Sequence, residues 1–200
     1  CRVSKERWAQ IRSRLGLREK DRVLLYAPTF REYEKNSARE CIFAPPVSWA
    51  RWKEALGEDT VILVRAHYEA LQAMNLEGEE RVRDVSAYPS LNELMIASDI
   101  LISDYSSVFF DYSILEKPMI CFAYDYDQYQ KERGMYFDIR RWLDWGADQE
   151  AVLELIQKLL DREFLEKSVE KTRAFKARFV ESCGHGTEAV LERIHKNFFY

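Results

Sequence analysis

The chain carries five short polar segments whose residue types suit phosphate chemistry: Ala27-Pro28-Thr29-Phe30-Arg31, Arg65-Ala66-His67-Tyr68, Ser86-Ala87-Tyr88-Pro89-Ser90, Ser103-Asp104-Tyr105-Ser106-Ser107 and Ala123-Tyr124-Asp125-Tyr126-Asp127. The serine segment is the sharpest. Three hydroxyls and backbone N–H groups ahead of a helix hold an anion, helped by the positive end of the helix dipole. Capping of that helix by Ser103, Asp104 and Ser106 is the competing reading. His67 stands beside Arg65, whereas His185 and His195 fall in the C-terminal region. An imidazole there can donate to a phosphate or move a proton near neutral pH, although a lone histidine is more often structural. Arg31 and Arg133 offer planar forks to a diphosphate, or form surface ion pairs. Asp99, Asp104, Asp111, Asp125 and Asp127 match no metal-ligand spacing, and neither a Walker A nor a G-x-G-x-x-G sequence occurs.

Something must bring these segments together, and the pattern between them says what. Val23–Tyr26, Val61–Val64, Val82–Val85, Ile100–Ile102 and Met119–Phe122 are short β-type runs, most of them apolar throughout. Such runs suit strands covered on both faces, and the helical patterns between them imply βαβ crossovers and a parallel, doubly wound α/β sheet. Each polar segment follows a strand, and in such a sheet ligands bind outside the carboxyl ends. Trp8, Ile11 and Leu15 mark an opening helix, with Ser4 as N-cap and Gly16 as stop. Ser90–Glu93 fits a capping box ahead of Leu91, Leu94 and Met95. A helix over about Ser106–Glu116 ends before Pro118, which opens the next strand. Phe30–Val47 reads as a long loop. Helical patterns fill the chain from Asp148 onward, with a break at Gly184-His185-Gly186 and Thr187 as the next N-cap.

Two hundred residues suffice for one domain with a buried core. With 47% hydrophobic residues, 32% charged residues and a formal net charge of −4, the composition is that of a soluble globular protein and argues against a nucleic-acid partner. No apolar run approaches a membrane span and the N-terminus has no signal-peptide pattern, so a cytoplasmic chain, or one cut from a longer chain, is expected. Cys1, Cys41, Cys121 and Cys183 form no C-x-x-C pair, and Cys121 reads as a small core residue. Lys167, Lys171, Arg173, Lys176 and Arg178 alternate with Glu166 and Glu170 as a solvated helix face.

Taken in order, these segments resemble the CDP-glycerol glycerophosphotransferases, the teichoic-acid primases and polymerases. The resemblance runs from Leu25–Arg31 through Arg-x-His and Asp84-Val85-Ser86-x-Tyr88 to the central stretch Leu91–Tyr112. It continues in Lys117-Pro118, Asp125-Tyr126-Asp127-x-Tyr129 and Arg133-Gly134. It implies that residues 1–200 are a single Rossmann-like domain, the donor-binding C-terminal half of a GT-B fold. His67 would contact the diphosphate and stabilise the leaving CMP, and Thr29, Arg31, Ser106 and Ser107 would line the phosphate pocket. Arg65, Ser103, Asp104 and Asp125 complete the expected substrate-binding set.

The implied reaction is attack by a glycerol hydroxyl of a lipid-linked acceptor on the β-phosphate of CDP-glycerol, with no cofactor. The general base is expected from an N-terminal GT-B domain outside these residues, in a protein peripheral to the inner face of the membrane. Tyr68 replaces a frequent proline, and Trp142-Leu143-Asp144-Trp145-Gly146 replaces a Pro-Gly stretch, which leaves CDP-ribitol or another CDP-polyol open as donor. The alternatives are another GT-B transferase, with Glu116 touching a ribose or sugar hydroxyl, or a non-catalytic docking domain.

Overall fold

In the computed structural model, residues 3–31, 45–67, 74, 76, 80–181 and 183–198 are described. Cys1, Cys41, Tyr68 and most of the expected loop before Val47 lie outside them.

Six parallel strands form one sheet in the order β3-β2-β1-β4-β5-β6: β1 (Arg22–Ala27), β2 (Thr60–Val64), β3 (Val82–Asp84), β4 (Ile100–Ser103), β5 (Met119–Phe122) and β6 (Asp144–Gly146). The order turns outward in both directions from β1 and β4, the doubly wound arrangement that the alternating pattern predicts. Alternation of side chains divides each strand between two cores. Val23, Leu25, Leu63, Leu101 and Cys121 face α1 (Lys5–Arg14), α3 (Leu91–Ala97), α4 (Val108–Ser113) and α7 (Arg162–Phe179). Leu24, Tyr26, Ile62, Ile102 and Phe122 face α2 (Trp49–Leu56) and α6 (Gln149–Lys158). Continuous apolar strands are the direct consequence: neither face meets water.

Of the expected caps, Ser4 and Ser90 form. Ser4, Ser48, Ser90, Asp148 and Asp161 each accept from a backbone N–H of the first turn of their helix. In the Ser90 box, Glu93 does not reach back; its carboxylate takes the Tyr88 hydroxyl at 2.7 Å and Arg14 at 2.6 Å. The helix after the serine segment is shorter than its pattern predicts. Leu115 and Glu116 close tight turns onto Tyr112 and Ser113, and Glu116 takes φ 53°, turning the chain toward β5. Near the C-terminus, α8 (Gly186–Phe198) starts one residue before Thr187, which therefore lies in its first turn and does not cap it. α5 (Tyr126–Glu132) follows β5.

Strand β6 lies in the stretch where no strand is legible, because Asp144 and Gly146 are poor strand formers. It exists through its neighbours. Gly146 pairs with Phe122, and a side chain at Gly146 would meet the Val152 nitrogen at 2.9 Å. Asp144 is nearly buried and pairs with Lys171 of α7. Elsewhere on α7, Lys167 makes the exposed i,i+4 pair expected of a solvated face, with Glu163, whereas Lys171, Arg173 and Lys176 of the same series reach Asp144 and Glu116 and tie the helix to the sheet. Among the described residues no helix is long and apolar enough to cross a membrane.

The amino edge of the sheet is fastened by buried charge. Arg12 on α1 donates to Ala97 O at 3.1 Å at the end of α3, and Asp99 accepts from Val23 N at 2.7 Å. Lys117 donates to Ile96 O and Ser98 O, and burial draws its pKa down to about 8, against a weaker opposing pull from Asp99. The unfolded chain therefore binds more protons than the folded one above pH 8, and stability rises with pH as that excess proton is lost. Relative to Lys117→Met, the unaltered chain should gain about 2 kcal/mol between pH 7 and 9.5. Urea unfolding of both at the two pH values measures this, and parallel changes would remove Lys117 as the cause.

Candidate functional site

The carboxyl ends of β1, β2, β4 and β5 share one edge, since Tyr26 pairs with Val64 and Ile102, and Ser103 pairs with Ala27 and Cys121. The polar segments that follow these strands are thereby brought side by side.

At the centre of that edge Arg31 is completely buried. Its Nε and Nη2 grip Asp125 at 2.7 and 3.1 Å, a bidentate fork. Nη2 also donates to Asp104 at 2.9 Å and to the Tyr124 hydroxyl at 3.1 Å, while Nη1 donates to the Thr29 carbonyl at 3.0 Å and to its hydroxyl. The rings of Tyr129, Tyr105 and Tyr124 lie 4.8, 5.4 and 5.6 Å from the guanidinium carbon. Burial opposes the charge, but the hydrogen bonds and charges of Asp125 and Asp104 outweigh it and raise the Arg31 pKa above its ordinary value. Asp104 further accepts the Thr29 N–H at 3.0 Å and the Tyr105 N–H at 2.7 Å. Burial and the same carboxylates push the phenols of Tyr105 and Tyr124 upward, so both remain protonated.

This knot places four expected ligand residues differently from a simple phosphate cradle. Arg31 and Asp104 sit behind the rim, and with Thr29 and Asp125 they tie together the segments after β1, β4 and β5. Ser103 is buried as well, its hydroxyl donating to Ala27 O across the β1–β4 pair. Arg65 turns toward the segment after β3, donating to Tyr88 O at 2.7 Å. Glu116 stands at the amino end of β5, away from this edge, where it pairs with Arg173 and Lys176 at 2.9 and 2.8 Å. Cys121 is a buried core thiol, held above its usual pKa first by desolvation, as its setting among apolar side chains implies.

Ser106 and Ser107 lie on the rim after β4, and His67 emerges on the same edge after β2. Ser106 Oγ accepts from Val108 N at 3.2 Å, so the half-buried hydroxyl both caps and lines the cavity. Ser107 is exposed and makes no side-chain cap bond. His67 is exposed, its ring 4.8 Å from that of Phe30. Beside the two serines lies a cavity of about 340 Å³ lined by Tyr105, Phe110, Tyr129, Arg133 and Tyr136, among others. Arg133 caps the end of α5, and Gly134 at φ 69° turns the chain back along the cavity. This aromatic lining went unread in the sequence; Tyr129 and Arg133, four residues apart, were its one periodic trace. Arg140, held by Asp138 at 2.9 Å, stacks 3.3 Å from the Tyr126 ring centre and braces the same segment.

The family profile described as CDP-Glycerol:Poly(glycerophosphate) glycerophosphotransferase matches residues 1–196. A teichoic acid poly(glycerol phosphate) polymerase of Staphylococcus epidermidis is 37% identical over 192 residues, covering 94% of this chain and 26% of that protein. A teichoic acid poly(ribitol-phosphate) polymerase of Bacillus spizizenii is 36% identical over 119 residues, 58% of this chain and 19% of that protein. The solved wall teichoic acid polymerase TagF superposes with a TM-score of 0.78 at 36% identity over 96% of this chain and 48% of its own, and a variant of it has been solved after soaking with CDPG. The chain thus spans half or less of the length of these relatives. A UDP-GlcNAc 2-epimerase of Neisseria meningitidis, at 14% identity and TM-score 0.60, shares the fold alone. With the profile spanning nearly every residue and the strand-end segments assembled on one edge, this chain belongs to the CDP-glycerol:poly(glycerophosphate) glycerophosphotransferase family.

Proposed function

We propose that this chain binds the donor in a glycerol-phosphate transfer, holding CDP-glycerol or a related CDP-polyol at the carboxyl edge of the sheet, as the C-terminal half of a GT-B enzyme. The observation that carries the reading is the pair Ser106 and Ser107 lining an open cavity beside a buried arginine knot, on the strand edge where His67 is also exposed, in a family of glycerophosphotransferases. Relatives named for glycerol phosphate and for ribitol phosphate both match, which supports a CDP-polyol as the donor class.

In this reading the phosphate oxygens are held by the serine hydroxyls and Arg133. Thr29, Arg31, Asp104 and Asp125 act from behind by fixing the segments that carry them, and Ser103 and Arg65 support the strand ends. A hydroxyl of a lipid-linked glycerol-phosphate acceptor attacks the β-phosphorus, the bond from that phosphorus to the CMP oxygen breaks, and a phosphodiester forms. His67 donates a hydrogen bond to the diphosphate and steadies the charge collecting on CMP. Positioning and charge stabilisation supply the rate, since no group of the protein is transferred. The base that takes the acceptor proton belongs to the N-terminal GT-B half, at the inner face of the membrane, and no cofactor is required.

Calorimetric titration tests the donor class: CDP-glycerol should bind and UDP-sugars should not, and a preference for UDP-sugars overturns the reading. Replacing His67 by Ala should weaken CDP-glycerol about tenfold, close to 1.4 kcal/mol, while His195→Ala leaves it unchanged; equal effects would take His67 out of the site. Arg31→Ala strands two carboxylates in a nearly dry setting and should cost about 3–5 kcal/mol of folding stability. A loss below 1 kcal/mol in denaturant unfolding would mean that Asp104 and Asp125 do not depend on it.

A further inference from the structure

We infer that the cavity between α4 and α5 receives the polyol-phosphate end of the donor, with Tyr136 and Phe110 setting which polyol is accepted; this rests on the donor-site reading above. Ser106 and Ser107 line the cavity and also form the phosphate rim, so the group filling it is joined directly to the phosphate held there.

The walls are aromatic, and the polar groups at their edge are hydroxyls and a guanidinium. Tyr105 and Tyr129 pack 4.3 Å apart over Arg31, which fixes one wall. Phe110, three residues after Ser107 on the same side of α4, forms the other, backed by Phe175 at 5.3 Å and Phe137 at 6.4 Å. Aromatic faces take the C–H surface of a polyol, and serine hydroxyls and Arg133 take its O–H groups and phosphate oxygens. The nucleoside end is a poorer match, because among the described residues the lining contains no Asn or Gln to read the hydrogen-bonding edge of a base. Tyr136 differs from the other rings. Its side chain is fully exposed at the cavity mouth, where a large aromatic contributes little to the core. A contact with a longer or shorter polyol is what such a position can supply.

The test compares CDP-glycerol, CDP-ribitol and CMP by calorimetric titration of the 200-residue chain and its Tyr136→Ala and Phe110→Leu variants, with circular dichroism confirming the fold of each. The unaltered chain should bind CDP-glycerol at least fivefold more tightly than CMP. Tyr136→Ala should remove most of that surplus and alter the glycerol-to-ribitol ratio, with CMP affinity changed less than twofold; Phe110→Leu should act in the same direction. Parallel losses for CMP and CDP-glycerol would place the nucleoside in the cavity and overturn the inference. Unchanged affinities for all three would overturn it too, by showing the cavity unused. Failure of the unaltered chain to bind any of the three would instead overturn the donor-site reading, and this inference with it.

Discussion

A single buried guanidinium holds the functional edge together. Charge is expensive to bury, and Arg31 is tolerated only because Asp104 and Asp125 surround it with near-ideal geometry and the Thr29 carbonyl and Tyr124 hydroxyl take its remaining donors. The requirement is mutual. Without the arginine, Asp104 would be a buried carboxylate left with only the N–H groups of Thr29 and Tyr105 to offset its charge. Since the three partners follow three different strands, satisfying one charge fixes the relative placement of three loops. Short polar segments with few internal hydrogen bonds thereby become a rigid rim.

That rim depends in turn on the sheet beneath it. The registers between β1, β4 and β5 put Ala27, Ser103 and Cys121 level, so the residues just beyond them emerge on one edge. Ser103 reinforces the level by bonding across to Ala27, and Cys121 gives its weak donor to the Asp104 carbonyl at 3.2 Å. At the opposite edge Arg12, Asp99 and Lys117 close the ends of α3 and β1. One edge is tied together by polar contacts to backbone beside a cavity of about 680 Å³, while the other carries two serine hydroxyls, an exposed imidazole and the aromatic-lined cavity.

Several features were legible because they are local. Five short β-type runs became five strands, and Ser4 and Ser90 opened their helices where they were expected, since strand burial and capping depend on residues a few positions apart. Strand β6 was illegible: Asp144, Trp145 and Gly146 form a strand because Phe122, Val152 and Lys171 surround them, not because of their own preferences. The same limit applies to Arg31 and Ser103. Their chemical types suit a phosphate, and nothing nearby in sequence reveals that 73 positions separate Arg31 from the carboxylate that claims it.

The sequence by itself determined the class of fold, the edge on which the polar strand-end segments gather, and, through the ordered motifs from Leu25 to Gly134, the family. These follow from periodicity and residue order, which are properties of the chain alone. Tertiary structure decided which of the polar residues meet solvent and which hold the others in place. It turned Arg31, Asp104 and Ser103 inward, left Ser107 and His67 outward, and built an aromatic cavity from Phe110, Tyr129 and Tyr136. The reason is that burial of a charge or hydroxyl depends on partners far along the chain, and only folding brings those partners within hydrogen-bonding distance.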